Sequence, residues 1–68
     1  MKVKLTFESD LSWTTNQVVE VQDNVSEEDV ESMFPIVLNV PYNERNCTYE
    51  VIGEGKIYTL QETLNYTE

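Results

Sequence analysis

The chain has no histidine, one cysteine, two glycines, two prolines and only four cationic side chains. Each shortage excludes a kind of chemistry. Without histidine there is no imidazole to serve as general base, nucleophile activator or transition-metal ligand near neutral pH. The lone thiol, Cys47, cannot close an internal disulfide, and nothing nearby in sequence would draw off its proton. It is expected to be a buried structural group in a reduced, cytoplasmic setting. Gly53-Glu54-Gly55 puts a carboxylate where a phosphate-binding loop would need open backbone N–H groups. The expectation is a protein that is not an enzyme and uses no cofactor.

Long apolar runs are missing as well. No stretch approaches the length needed to cross a bilayer, and the first residues lack the apolar core of a secretion signal, so no membrane association is expected. At 68 residues the chain makes a single domain, 1–68, near the lower size limit for folding alone. Homo-oligomerisation is one way such a chain could add buried surface. One tryptophan, two phenylalanines and four tyrosines give it enough large apolar groups to form a small core.

What the chain has in excess is negative charge. Thirteen acidic side chains against four basic ones leave a net charge of −9. Lys2 and Lys4 come first, and the next cation is Arg45, followed only by Lys56. Such a surface repels phosphate backbones and anionic membranes and attracts basic proteins, so a basic partner is expected and direct nucleic-acid binding is not.

Hydrophobic periodicity gives the elements. Lys2 to Glu8 alternates strictly, turning Val3, Leu5 and Phe7 to one face of a strand. Lys2 and Lys4 on the other face suit an exposed or edge strand. Gln17 to Gln22 reads as a second strand with Val19 and Val21 inward, joined to the first as an antiparallel hairpin through the polar stretch Ser9 to Asn16. Ser26 then looks like a helix N-cap, with Asp29 three residues on and Val25 and Val30 placed as a hydrophobic staple. Val30, Met33 and Phe34 form the apolar stripe, and Pro35 should end the helix at Phe34. Ile36 to Val40 reads as a buried strand, with a kinked continuation of the helix as the alternative. Cys47 to Ile52 and Lys56 to Leu60 flank a three-residue hairpin loop, with Tyr49 and Tyr58 on opposing strands. Thr59 to Glu62 could cap a last short helix carrying Leu60 and Leu64. The order is ββαβββ: an α+β fold, with a small antiparallel sheet of four to five strands and one short helix packed on it.

Asp23 to Glu31 holds five carboxylates in nine residues and no cation. Capping and the helix dipole account for Asp29 and for part of the pair Glu27 and Glu28. They do not account for Glu31, which follows Glu27 and Glu28 at spacings where like charges destabilise a helix. Angular placement puts Glu28 and Glu31 outward, with Glu27 and Asp29 flanking the apolar stripe. Residues four apart on a helix stand about 6 Å apart along its axis. That is comparable to the spacing of phosphates along a strand, so these carboxylates could occupy a groove that normally grips nucleic acid. Glu27, Glu28, Asp29 and Glu31 are the candidate contact residues, with Asp23 and Glu20 adjacent and Trp13 as a possible aromatic anchor. A simple solvated surface is the competing interpretation, and an EF-hand is excluded because Val25 and Glu28 fall where a ligand and a glycine are required. No metal site is assigned.

The layout KVKLTFE, QVVEVQD, SEEDVESMF resembles that of small acidic proteins encoded by bacteriophages and prophages. The resemblance implies a host-directed inhibitor acting in the host cytoplasm, for example against a defence nuclease or another DNA-handling enzyme. The alternatives are a small structural or accessory homo-oligomer, or an oligomer that binds a small molecule between its subunits.

Overall fold

The strict alternation of Lys2 to Glu8 is realised as strand β1, Lys2–Glu8, with Val3, Leu5 and Phe7 almost wholly removed from water. The computed structural model describes residues 1–59. β2, Thr14–Glu20, runs antiparallel to β1 over seven unbroken pairs, from Lys2 opposite Glu20 to Glu8 opposite Thr14. β3, Cys47–Val51, lies antiparallel on the other side of β1, and β4, Lys56–Thr59, closes the sheet in the order β2-β1-β3-β4. Lys2 and Lys4 therefore stand on an interior strand, not an edge. They face solvent because they are on the uncovered side of the sheet, where Lys2 opposes Glu20 and Lys4 opposes Glu50.

β2 starts three residues earlier than its apolar pattern indicates. The Ser9 N–H donates to the Trp13 carbonyl at 2.8 Å, which closes the hairpin tightly and lets Thr14 to Asn16 pair with β1. The same device sits at the other end, where the Val21 N–H donates to the Met1 carbonyl at 2.8 Å. Val19 faces the core as expected, and Val21 lies just past the strand, half-buried.

Helix α1, Glu27–Met33, begins as the sequence indicates: the Asp29 N–H donates to Ser26 Oγ at 3.2 Å. Val25 before the cap packs against the same cluster as Val30. Pro35 does not end the helical path. The chain continues through a wider π-helical turn, Phe34–Leu38, and there is no strand at 36–40. The element order is thus ββαββ in an α+β fold. Pro35 is tolerated because the Glu31 carbonyl, to which residue 35 would donate in a continuing α-helix, accepts from the Phe34 N–H instead. Burying Phe34 with Val37 and Leu38 outweighs the strain at the residue before a proline. Ile36, on the outer side of that turn, is 80% exposed, which a buried strand would not allow. Asn39 ends the turn in the left-handed region, φ 56° and ψ 45°.

The core is one layer between sheet and helix: Leu5, Phe7, Val30, Phe34, Val40 and Cys47, flanked by Val19, Val25, Met33, Tyr42 and Tyr49. Full burial of a side chain such as Phe34 or Leu5 contributes about 1.5–3 kcal/mol. The β3–β4 connection is four residues, Ile52 to Gly55, one more than expected, because Val51 pairs directly with Lys56. Gly53 and Gly55 carry φ of 101° and 70°, which this turn requires of them. Tyr49 and Tyr58 are directly opposed and stacked, with ring centroids 4.8 Å apart. The final helix proposed from Thr59 to Glu62 falls almost entirely beyond residue 59.

Candidate functional site

Strand order places most of the candidate carboxylates at one end of the molecule. β1 begins there, β2 finishes there at Glu20, and the β3–β4 turn with Glu54 returns there. α1 starts six residues after β2, so its first turn lies over the same end. Glu27 and Asp29, two residues apart on a helix, point about 200° apart around its axis. Asp29 turns toward β2, where it lines an open groove with Glu20, Val21, Gln22, Asn24, Val25 and Met33. Glu27 turns toward β3, close enough to Tyr49 to help hold its phenol above the ordinary value, after the larger effect of burial. Glu28 is exposed between them as the helical angles indicate, whereas Glu31, expected to face outward as well, is half-buried one turn on.

The groove has a volume of about 680 Å³, an apolar floor of Val21, Val25 and Met33, and a rim carrying Glu20 and Asp29. Beside it the N-terminal ammonium lies 2.9 Å from Asp23 Oδ1 and 3.1 Å from Glu20 Oε2 and donates to the Val21 carbonyl at 2.7 Å. Hydrogen bonding to Asp23, then Glu20, raises the pKa of the amine, and the same bond lowers that of Asp23. Two of the candidate carboxylates thus have an internal partner that the sequence did not indicate. The signal that could have found it is register, since an antiparallel hairpin from Lys2 to Glu20 brings residue 1 beside residue 21.

On the β3–β4 side, Tyr58 donates to Glu54 Oε1 at 3.2 Å and Lys56 Nζ sits 5.6 Å from the Tyr58 ring centroid. Lys56 and the open-face lysines temper the anionic end on the sheet side, while the helix side carries Glu27, Glu28 and Asp29. Arg45 stands at the far end, in the turn Glu44–Asn46 that leads into Cys47 opposite Phe7.

Trp13 is not part of this arrangement. It sits at the hairpin end of β2, about 23 Å from Glu20 at ~3.3 Å per strand residue. It is 45% exposed and tilted against Phe7, with centroids 5.6 Å apart, so it both covers the core and faces water. Leu11 beside it is 82% exposed. Sequence reasoning grouped Trp13 with the carboxylates, whereas the fold puts the two at opposite ends of one strand.

Cys47 is fully buried, and burial pushes its thiol pKa up. Among the described residues no three acidic or thiol groups converge as metal ligands, and no helix is long and apolar enough to cross a membrane. Comparison with protein-family models, curated proteins and solved structures found no match, so the functional interpretation rests on this geometry.

Proposed function

We propose that the protein is a non-enzymatic binding protein whose anionic end docks on a basic surface of a nucleic-acid-handling partner and blocks it. The observation that carries this is the convergence of Glu20, Asp23, Glu27, Glu28 and Asp29 on one end of the sheet, around an open groove. The three helix carboxylates are exposed and lie within one turn, so together they add to the negative potential of this end. A binding role rather than a catalytic one is supported by the absence of histidine and by a buried thiol whose raised pKa keeps it protonated. The resemblance of the layout to that of small acidic phage proteins favours a host target met in the host cytoplasm, a defence nuclease or another DNA-handling enzyme.

The test is competition. DNA cleavage by candidate host nucleases is followed with increasing protein, at low and moderate ionic strength. Inhibition that weakens as salt rises, and falls at least tenfold in Glu27→Lys/Glu28→Lys, supports the proposal. Inhibition untouched by that double charge reversal would remove the helix from the interface.

A further inference from the structure

Among the described residues β2 is an edge strand, and it lacks the usual defences. Thr14–Glu20 contains no lysine, arginine, proline or glycine, and its seven pairs with β1 run without a bulge. Natural edges are normally blunted by such devices or by being short. β2 is instead long, regular and rich in threonine and valine.

Hydrogen-bond parity fixes which groups on this edge are open. Val21 exchanges bonds with Met1, its N–H donating to the Met1 carbonyl and its carbonyl accepting from the Met1 ammonium. Trp13 accepts from Ser9. Odd-numbered residues of β2 therefore turn their backbone groups toward β1. Thr14, Asn16, Val18 and Glu20 turn theirs outward.

We infer that β2 is a self-association edge, pairing antiparallel with β2 of a second copy about a two-fold axis through Gln17. In that register Thr14 meets Glu20 of the second copy and Asn16 meets Val18, so all four outward residues find hydrogen-bonding partners. Shifting the axis to Asn16 or Val18 would leave some of them unpaired. This register also keeps like charges apart. Glu20 is the only charged residue of β2, and this register holds the two copies of it at opposite ends of the junction, with the two anionic ends also apart.

The register has a consequence for Trp13. Continued one step past the strand, it brings Trp13 of one copy opposite Val21 of the other. Both are odd-numbered positions on the helix side of the sheet, as the contact of Trp13 with Phe7 also indicates. Val21 is part of the apolar floor of the groove, with Val25 and Met33. The half-exposed indole of each copy thus enters the groove of its partner, and the symmetric pair buries two aromatic anchors. The groove, with Glu20 and Asp29 on its rim, is shared with the proposed function, but the inference makes no use of Glu27 or Glu28 and does not rest on that reading.

The test is cysteine cross-linking of the full chain under mild oxidation, with Cys47 buried and out of reach. Gln17→Cys, on the axis, is a non-hydrogen-bonded pair with its own copy, with Cα atoms about 4.5 Å apart, within disulfide reach. It should cross-link efficiently, and Thr14→Cys should not. Emission from Trp13, the single tryptophan, should shift to the blue as protein concentration rises. Val18→Pro, which removes an outward N–H and leaves the β1 ladder intact, should abolish that shift. Raising salt should increase the dimer, because two chains of charge −9 repel each other. Equal cross-linking at both positions, no cross-linking at Gln17→Cys, or an emission maximum independent of concentration would overturn the inference.

Discussion

The indole of Trp13 leans on the ring of Phe7, with centroids 5.6 Å apart and planes inclined by 51°, while nearly half of its surface stays in water. It covers the end of the core where β1 gives way to the hairpin turn. Trp13→Ala is therefore expected to cost about 1–2 kcal/mol, less than the ~3–5 kcal/mol of a fully buried aromatic. Urea unfolding with an unchanged slope would check it, and a cost near zero would mean the ring contact is incidental.

Phe34 carries more. It is fully buried beneath the junction of α1 and the π turn, in contact distance of Tyr42. Phe34→Ala should remove about 3–5 kcal/mol. For a domain of this size that approaches the whole stability, which is of order 0.05–0.15 kcal/mol per residue. Far-UV circular dichroism should show loss of the fold near room temperature. By contrast Ser26→Ala, which deletes only the cap on Asp29, should cost about 0.5–2 kcal/mol and leave the fold in place.

Asn39 ends the π turn with a positive φ that asparagine and glycine accept and β-branched residues do not. Asn39→Gly is expected to be close to neutral, and Asn39→Val to cost about 1–2 kcal/mol. Thermal melts of the two variants side by side decide this, and equal melting temperatures would contradict it.

The clasp between the N-terminal ammonium and Asp23 predicts a pH window. Asp23 titrates below its usual value, so its contribution is complete above the unfolded carboxylate range, about 3.9, and is lost as pH falls through the lowered folded value. The ammonium titrates above 8.0, so its contribution is complete below that and lost as pH rises through the raised value. Asp23 is exposed and Met1 only partly covered, so the effect is local. Protection of the Val21 amide, bonded to the Met1 carbonyl, should be greatest between these limits after correction for intrinsic exchange. A profile that stays flat through both titrations would contradict the clasp.

The period-two pattern of β1 and the cap at Ser26 were legible because each depends on residues close in sequence. The Ile36 to Val40 run was not, since a short apolar stretch has no period that separates strand from helix. Tertiary contact of Phe34, Val37 and Leu38 with the sheet decided it. The flanking positions of Glu27 and Asp29 followed from helical angles alone. That they face different partners, Tyr49 on one side and the groove with Glu20 on the other, depended on strand order, which the sequence does not state. The distance of Trp13 from that groove was hidden for the same reason, because a loop residue has no fixed end until the hairpin register is known.

The central claim is that the anionic end is what a basic partner grips. The most direct measurement is the association rate with a basic DNA-handling enzyme identified in the competition assay, taken across ionic strength for the native chain and for Glu27→Lys/Glu28→Lys. The rate is expected to fall steeply with salt in the native chain, and to be slower with a flatter dependence in the variant. Superimposable curves, or a native rate indifferent to salt, would contradict it.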